Sequence, residues 1–248
     1  MGDSFTEGLG DPGVDGRDRG WADRVGRAGW PLTIPASRTP TWRCAVGRFR
    51  RSSPSRSRLL TALHPDLVSF AGGINDALRR DWDLVSMAQN LQAGMADLAA
   101  TGAQLVIVTY RQPSRRSRLM AVVEGRLREY REVTYDVAAA HGATVVELWD
   151  ATVFDDPRFS SDHRLHLNPL GHKQVSMAVL DALGMPVPAW QQPLPTIAAQ
   201  APWARVSDDV TWFGRHFAPW IVRKARGRRS GDGITAKRPQ CLPVSEAS

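Results

Sequence analysis

Lysine is almost absent from this chain. Of 32 basic residues only Lys173, Lys224 and Lys237 are lysines; the rest are arginine, and the formal net charge is +7. An arginine bias beside abundant Ala, Gly and Pro is the composition of a GC-rich coding sequence, so part of the basicity reflects codon usage. Arginines gather at 48–58 and 223–229. Such runs can bind nucleic acid or anionic lipid but are more often simply solvated. Cysteine is equally scarce. Cys44 and Cys241 are far apart and in no metal-ligand spacing, which excludes a disulfide framework and a cysteine zinc site. No apolar run is long enough to span a membrane and none opens the chain as a leader would, so the expectation is a cytoplasmic protein. The 248 residues suffice for one α/β domain with a core, plus some tail.

What is present alternates. Residues 20–29 read as a short helix, and 30–60 carry prolines, arginines and serines with little apolar periodicity to bury. Asp66 to Ala71 reads as a buried strand ending at Gly72-Gly73. Leu84, Met87, Leu91, Met95 and Leu98 share one face of a helix over 83–100, stopped by Gly102. Leu105 to Tyr110 is a second strand. A helix over 116–140 turns Leu119, Val123, Leu127, Tyr130, Val133 and Val137 inward, and Thr144 to Trp149 is a third strand. A last helix over 169–184 buries Val175, Met177, Val179 and Leu183. Strands alternating with helices of this length predict a parallel sheet covered on both faces, with reactive residues on loops beyond the strand C-termini. The loop of about 16 residues after the third strand is long for a plain connection and is a candidate functional loop.

Three stretches carry chemistry. Gly2-Asp3-Ser4-Phe5-Thr6-Glu7-Gly8 opens the chain, Gly73-Ile74-Asn75-Asp76 follows the first strand, and His166 lies in Arg164-Leu165-His166-Leu167-Asn168-Pro169-Leu170-Gly171-His172. Singly each has a plain structural explanation. Ser4 with Glu7 forms a capping box, and Asn75 suits an Asx turn. His163, His166 and His172 have no acidic or cysteine partner at a distinctive spacing, so no metal or other cofactor is expected. Together and in this order the three stretches resemble the SGNH (GDSL-type) hydrolases over about residues 1–26 and 62–184.

The resemblance implies a three-layer α/β/α sandwich with a flavodoxin-like parallel sheet, and hydrolysis of carboxylic or acetyl esters. It makes Ser4 the nucleophile and His166 the base. The oxyanion donors would be the Ser4 backbone N–H and the Asn75 side chain, with Asp3, Gly73 and Asp76 supporting the site. The family places an aspartate three residues before the histidine; here that position is His163, and Asp162 lies one further back. The resemblance leaves open whether Asp162, His163 or neither steadies the imidazole.

The family's second block, a strand and a glycine-bearing loop, has no counterpart as written. Reverse-translating Gly29 to Arg48 and shifting the frame yields text containing Y-A-N-L-A-V-R-G, which looks like that block. Residues 28–61 are therefore read as an out-of-frame translation between two compensating shifts, the alternative being a divergent insertion. The apolar strand that family members place before the serine is also absent, so impaired folding or activity is expected. The resulting organisation is a hydrolase domain over 1–184, a Pro-rich linker over 185–200, and an aromatic and basic extension over 201–248 with a disordered tail. The expected partner is a small-molecule, lipid or carbohydrate ester. No nucleic acid is expected, peripheral membrane contact through the extension is the secondary expectation, and the sequence is silent on oligomeric state. The competing class is a non-catalytic basic protein that contacts anionic membrane or nucleic acid through 48–58 and 223–229.

Overall fold

The computed structural model of the protein describes residues 4–13, 16, 18–28, 65–116, 118–162 and 166–196. Asp3, His163, the segment 29–61 and the extension 201–248 lie outside these residues, and with them the arginine runs at 48–58 and 223–229. In chain order the described helices are α1 (Ser4–Glu7), α2 (Gly20–Arg27), α3 (Ile74–Ala77), α4 (Leu84–Ala99), α5 (Pro113–Arg116), α6 (Glu124–Ala140) and α7 (Pro169–Ala182). The strands are β1 (Leu67–Phe70), β2 (Gln104–Val108) and β3 (Thr144–Val146).

Leu105, Val106, Ile107 and Val108 are all buried, as a strand covered on both faces requires. They make β2 the middle of a parallel sheet in the order β1-β2-β3. Val68 stands opposite Leu105, and Ile107 stands opposite both Phe70 and Val145. Alternate side chains point to opposite faces. Leu105, Ile107, Val68 and Phe70 meet Leu91, Met95 and Leu98 of α4 and Tyr130 and Val137 of α6. Val106, Val108 and Val146 meet Trp21, Ala22 and Val25 of α2 and Val175, Ala178 and Val179 of α7. The result is an α/β/α sandwich: a three-stranded parallel sheet with helices on both faces. Each fully buried aliphatic or aromatic side chain in these two layers contributes roughly 1.5–3 kcal/mol through area removed from water.

Local chemistry sets the helix ends. The Asp83 carboxylate accepts from the N–H groups of Val85 and Ser86, capping α4. Asn168 caps α7 by accepting from Gly171 N–H at 3.0 Å, and Pro169 occupies the first turn, where no donor is needed.

Two elements differ from the periodicity. The helix read over 116–140 becomes continuous only at Glu124; α5 and a 3-10 stretch over Arg118–Val123 precede it. The Glu124 carboxylate accounts for the break. It accepts from Gln112 Nε2 at 2.9 Å and Ser114 N–H at 3.1 Å, tying the preceding loop back across the helix start. The third strand pairs only through Val146, because beyond it the Thr109 hydroxyl accepts from Leu148 N–H at 2.8 Å and takes over from a β2 backbone carbonyl.

The 185–195 stretch, rich in proline, lies along the domain. Trp190 is buried, donates from Nε1 to Asp181 at 3.1 Å and sits 6.3 Å from the Phe154 ring. Arg158 donates to the Pro195 carbonyl at 2.9 Å.

Candidate active site

The loops that leave β2 and β3 meet α1. The Phe5 ring lies 6.2 Å from Tyr110, two residues beyond β2, and 5.9 Å from Trp21 of α2. Beside Phe5, Ser4 opens α1 and is half-buried. His166 comes from the loop between β3 and α7 and is half-buried too. Its Nε2 lies 2.9 Å from Ser4 Oγ, although 162 residues separate the two in sequence. At that distance a serine hydroxyl donates to an imidazole whose other nitrogen carries the proton.

Both sides of this contact are braced. On the histidine side, two 3-10 turns, Thr152–Asp155 and Pro157–Phe159, fill the long loop with structure. The His166 carbonyl accepts from both the N–H and the hydroxyl of Ser161, each at 3.0 Å. Leu167 bridges back to Ser160, and Asn168 donates through N–H to the Phe159 carbonyl at 3.1 Å. On the serine side, Asp11 is fully buried and takes Arg24 on one oxygen, from Nε at 3.0 Å and Nη2 at 2.7 Å. The backbone N–H of Arg19 adds a bond to the Asp11 carbonyl at 2.7 Å. Gly10 joins the two sides. Its φ is +99°, and a Cβ there would stand 2.4 Å from the Leu167 carbonyl oxygen. His172, fully buried on α7, places Nε2 3.5 Å from the Leu9 carbonyl.

The other residues singled out from the sequence fall as follows. Gly73 precedes α3 at the C-terminal end of β1, with φ +118°; a Cβ would meet the Tyr130 ring at 2.4 Å, so only glycine fits. Asn75 and Asp76 lie on α3 and are half-buried, at the same end of the sheet as α1. Asp162 is exposed in a turn four residues before His166, while Asp3 and His163 lie outside the described residues. Among the described residues no group of three or more His, Cys, Asp or Glu side chains is arranged to hold a metal ion. No helix among them is long and apolar enough to cross a membrane.

Sequence reasoning missed Gly10, Asp11, Arg24 and Arg111. A Gly-Leu-Gly-Asp run directly after the serine block was the available signal for the first two. Arg111, three residues beyond β2, donates from Nη1 to the Phe154 carbonyl, and burial pushes its guanidinium down to about 10. A small apolar cleft opens between the strand ends and α6, lined by Gly72, Thr109, Tyr110, Tyr130 and Trp149 among others. Two of its lining side chains, Thr109 and Arg131, donate to Glu147, from Oγ1 at 3.0 Å and Nε at 3.1 Å, and the Tyr135 hydroxyl donates to the same carboxylate. Burial first, then that hydrogen bond, pushes the Tyr135 phenol up to about 12.

Residues 1–174 match the GDSL-like lipase/acylhydrolase family. No curated protein matches the chain. Among solved structures, Axe2, an acetylxylan esterase from Geobacillus stearothermophilus, aligns at 18% identity with a TM-score of 0.55, over 76% of this chain and 93% of its own. A lipase/acylhydrolase from Enterococcus faecalis aligns at 19% identity with a TM-score of 0.51, over 79% and 96%. LAE5, an alpha/beta hydrolase enzyme from the metagenome of Lake Arreo, aligns at 24% identity with a TM-score of 0.51, over 74% and 92%. At these identities the likeness speaks to the fold.

Proposed function

Because the chain belongs to the GDSL-like lipase/acylhydrolase family, we propose that it hydrolyses carboxylic esters, with Ser4 as nucleophile and His166 as general base. The observation that carries this reading is the 2.9 Å approach of His166 Nε2 to Ser4 Oγ at the C-terminal edge of the sheet. In the proposed reaction the ester carbonyl carbon is attacked by Ser4 Oγ as the hydroxyl proton passes to Nε2. The tetrahedral oxyanion takes donors from the Ser4 backbone N–H and the Asn75 amide, which follows from the family resemblance and the shared sheet edge. Collapse expels the alcohol, which leaves with the proton from Nε2, and forms an acyl ester on Ser4. A water molecule, deprotonated by the same imidazole, then releases the acid and restores the serine.

While each tetrahedral intermediate stands, the imidazole is positively charged and gains from an acidic neighbour. Asp162 is the carboxylate proposed for that task, with His163 as the alternative at the family's aspartate position. If Asp162 serves, Asp162→Asn lowers kcat about a hundredfold or more. An unchanged kcat removes Asp162 and leaves His163 or a bare Ser–His dyad, which His163→Ala separates.

Turnover of 4-nitrophenyl acetate tests the whole reading. Ser4→Ala and His166→Ala should each lower kcat/KM by about four orders of magnitude, and the double variant should lose no more than either alone, because the two act as one unit. Full activity in Ser4→Ala would sink the proposal.

A further inference from the structure

Arg111 is a cation that the hydrolytic steps leave unused. It adjoins Tyr110, whose ring packs 6.2 Å from that of Phe5, the neighbour of Ser4. Its guanidinium has five N–H donors, and among the described residues its bond is the one from Nη1 to the Phe154 carbonyl. The acid whose charge reaches it, Asp155, is instead paired with Arg115 at 2.8 Å. Arg24 and Arg131 are matched directly, to Asp11 at 2.7 Å and Glu147 at 3.1 Å; Arg126 also donates to neutral carbonyls, but to two of them, Ala77 and Arg79, each at 2.9 Å. A desolvated cation held by a neutral carbonyl costs stability, and an anion brought to it recovers that cost. Its place beyond a strand C-terminus is where ligands of such sheets bind.

Resting on the hydrolase reading, we propose that Arg111 selects esters that also carry a carboxylate, which the planar guanidinium fork would take in a bidentate grip. A single fixed cation matches a single negative charge.

Two matched pairs test this on the full chain. One is 4-acetoxybenzoate against 4-acetoxybenzamide, with the charge on the alcohol side. The other is mono-4-nitrophenyl adipate against 4-nitrophenyl heptanoate, with the charge on the acyl side. In one pair the wild type should favour the anion by about tenfold to a hundredfold in kcat/KM. Arg111→Gln can still donate to Phe154 and should bring the ratio near unity while turnover of the neutral member holds. A merely structural arginine would lower both members alike. Arg111→Lys should keep part of the preference. If Arg111→Gln does not fold, the wild type decides alone: its anion preference should shrink at about 1 M salt. A wild type without anion preference in either pair, or a preference untouched by Arg111→Gln, overturns the proposal. If no ester is cleaved, the hydrolase reading fails separately. Binding of 4-hydroxybenzoate and adipate, followed by tryptophan fluorescence, then tests Arg111: loss in Arg111→Gln supports it, and binding equal to wild type, or absent from both, overturns it.

Discussion

The two faces of the sheet are built on different principles. On the α4/α6 face, Leu91, Met95, Leu98, Leu105, Ile107 and Val137 interdigitate with Phe70 and Tyr130, and the layer is held by apolar side-chain packing. On the α2/α7 face the apolar layer is similar, but at its upper edge the chain is held through its backbone: Gly10 against Leu167, Arg19 N–H against the Asp11 carbonyl, and the Leu9 carbonyl against the His172 side chain. Aliphatic packing yields by small shifts when one atom changes, whereas a backbone contact at 2.4 Å from a would-be Cβ has nowhere to move. One face supplies stability in bulk and the other supplies position, and substitutions should tell them apart.

The largest effect expected is on rate alone. Ser4→Ala should cost about four orders of magnitude in ester turnover and leave the thermal midpoint unchanged, which calorimetry beside a kinetic assay would show. Next is Gly10→Ala, which combines a φ of +99° with a steric clash at the Leu167 carbonyl. It should destabilise by about 4 kcal/mol and also lower kcat in the molecules that stay folded, because His166 is the next residue. Leu91→Ala, on the opposite face, should cost about 3 kcal/mol in urea unfolding, while kcat per folded molecule holds. A fall in kcat there would erase the distinction between the faces.

Arg111→Met should go the other way. The unfolded chain keeps the ordinary, higher arginine value while the folded site holds about 10, so above pH 10 the unfolded state binds more protons and stability rises with pH. Below pH 10 the full penalty of the buried charge is present, and removing it should stabilise by about 2 kcal/mol net of the lost Phe154 hydrogen bond. The gain should disappear as the pH of the melt is raised past 10. The smallest effect is Asn168→Ala, which uncaps α7 and should cost about 1 kcal/mol with a modest loss of kcat.

Much of this was legible in the residues. The strand at 67–70, the apolar stripe of α4 and the inward face of α7 follow from periodicity, since burial on a regular element repeats with that element's own period. The pairing of Ser4 with His166 was visible only through the order of motifs. What stayed hidden was tertiary. Nothing near Gly10 announces Leu167, and nothing near Arg111 announces the carbonyl of Phe154, because each contact is made by a fold that local pattern does not encode. The break before α6 was hidden for a different reason. A helical period continues through 118–123, but the Glu124 carboxylate binds Gln112 and Ser114 and diverts the chain. The aromatic and basic extension remains a reading of composition.

The 162-residue separation of Ser4 and His166 also bears on how the molecule is assembled. A contact of such long range is among the last a chain can form, since the entropy of closing the loop must be met before any gain is collected. During refolding, far-ultraviolet signal from α4, α6 and α7 should return first. Reaction of Ser4 with a fluorophosphonate label should return last, so that label counts finished molecules.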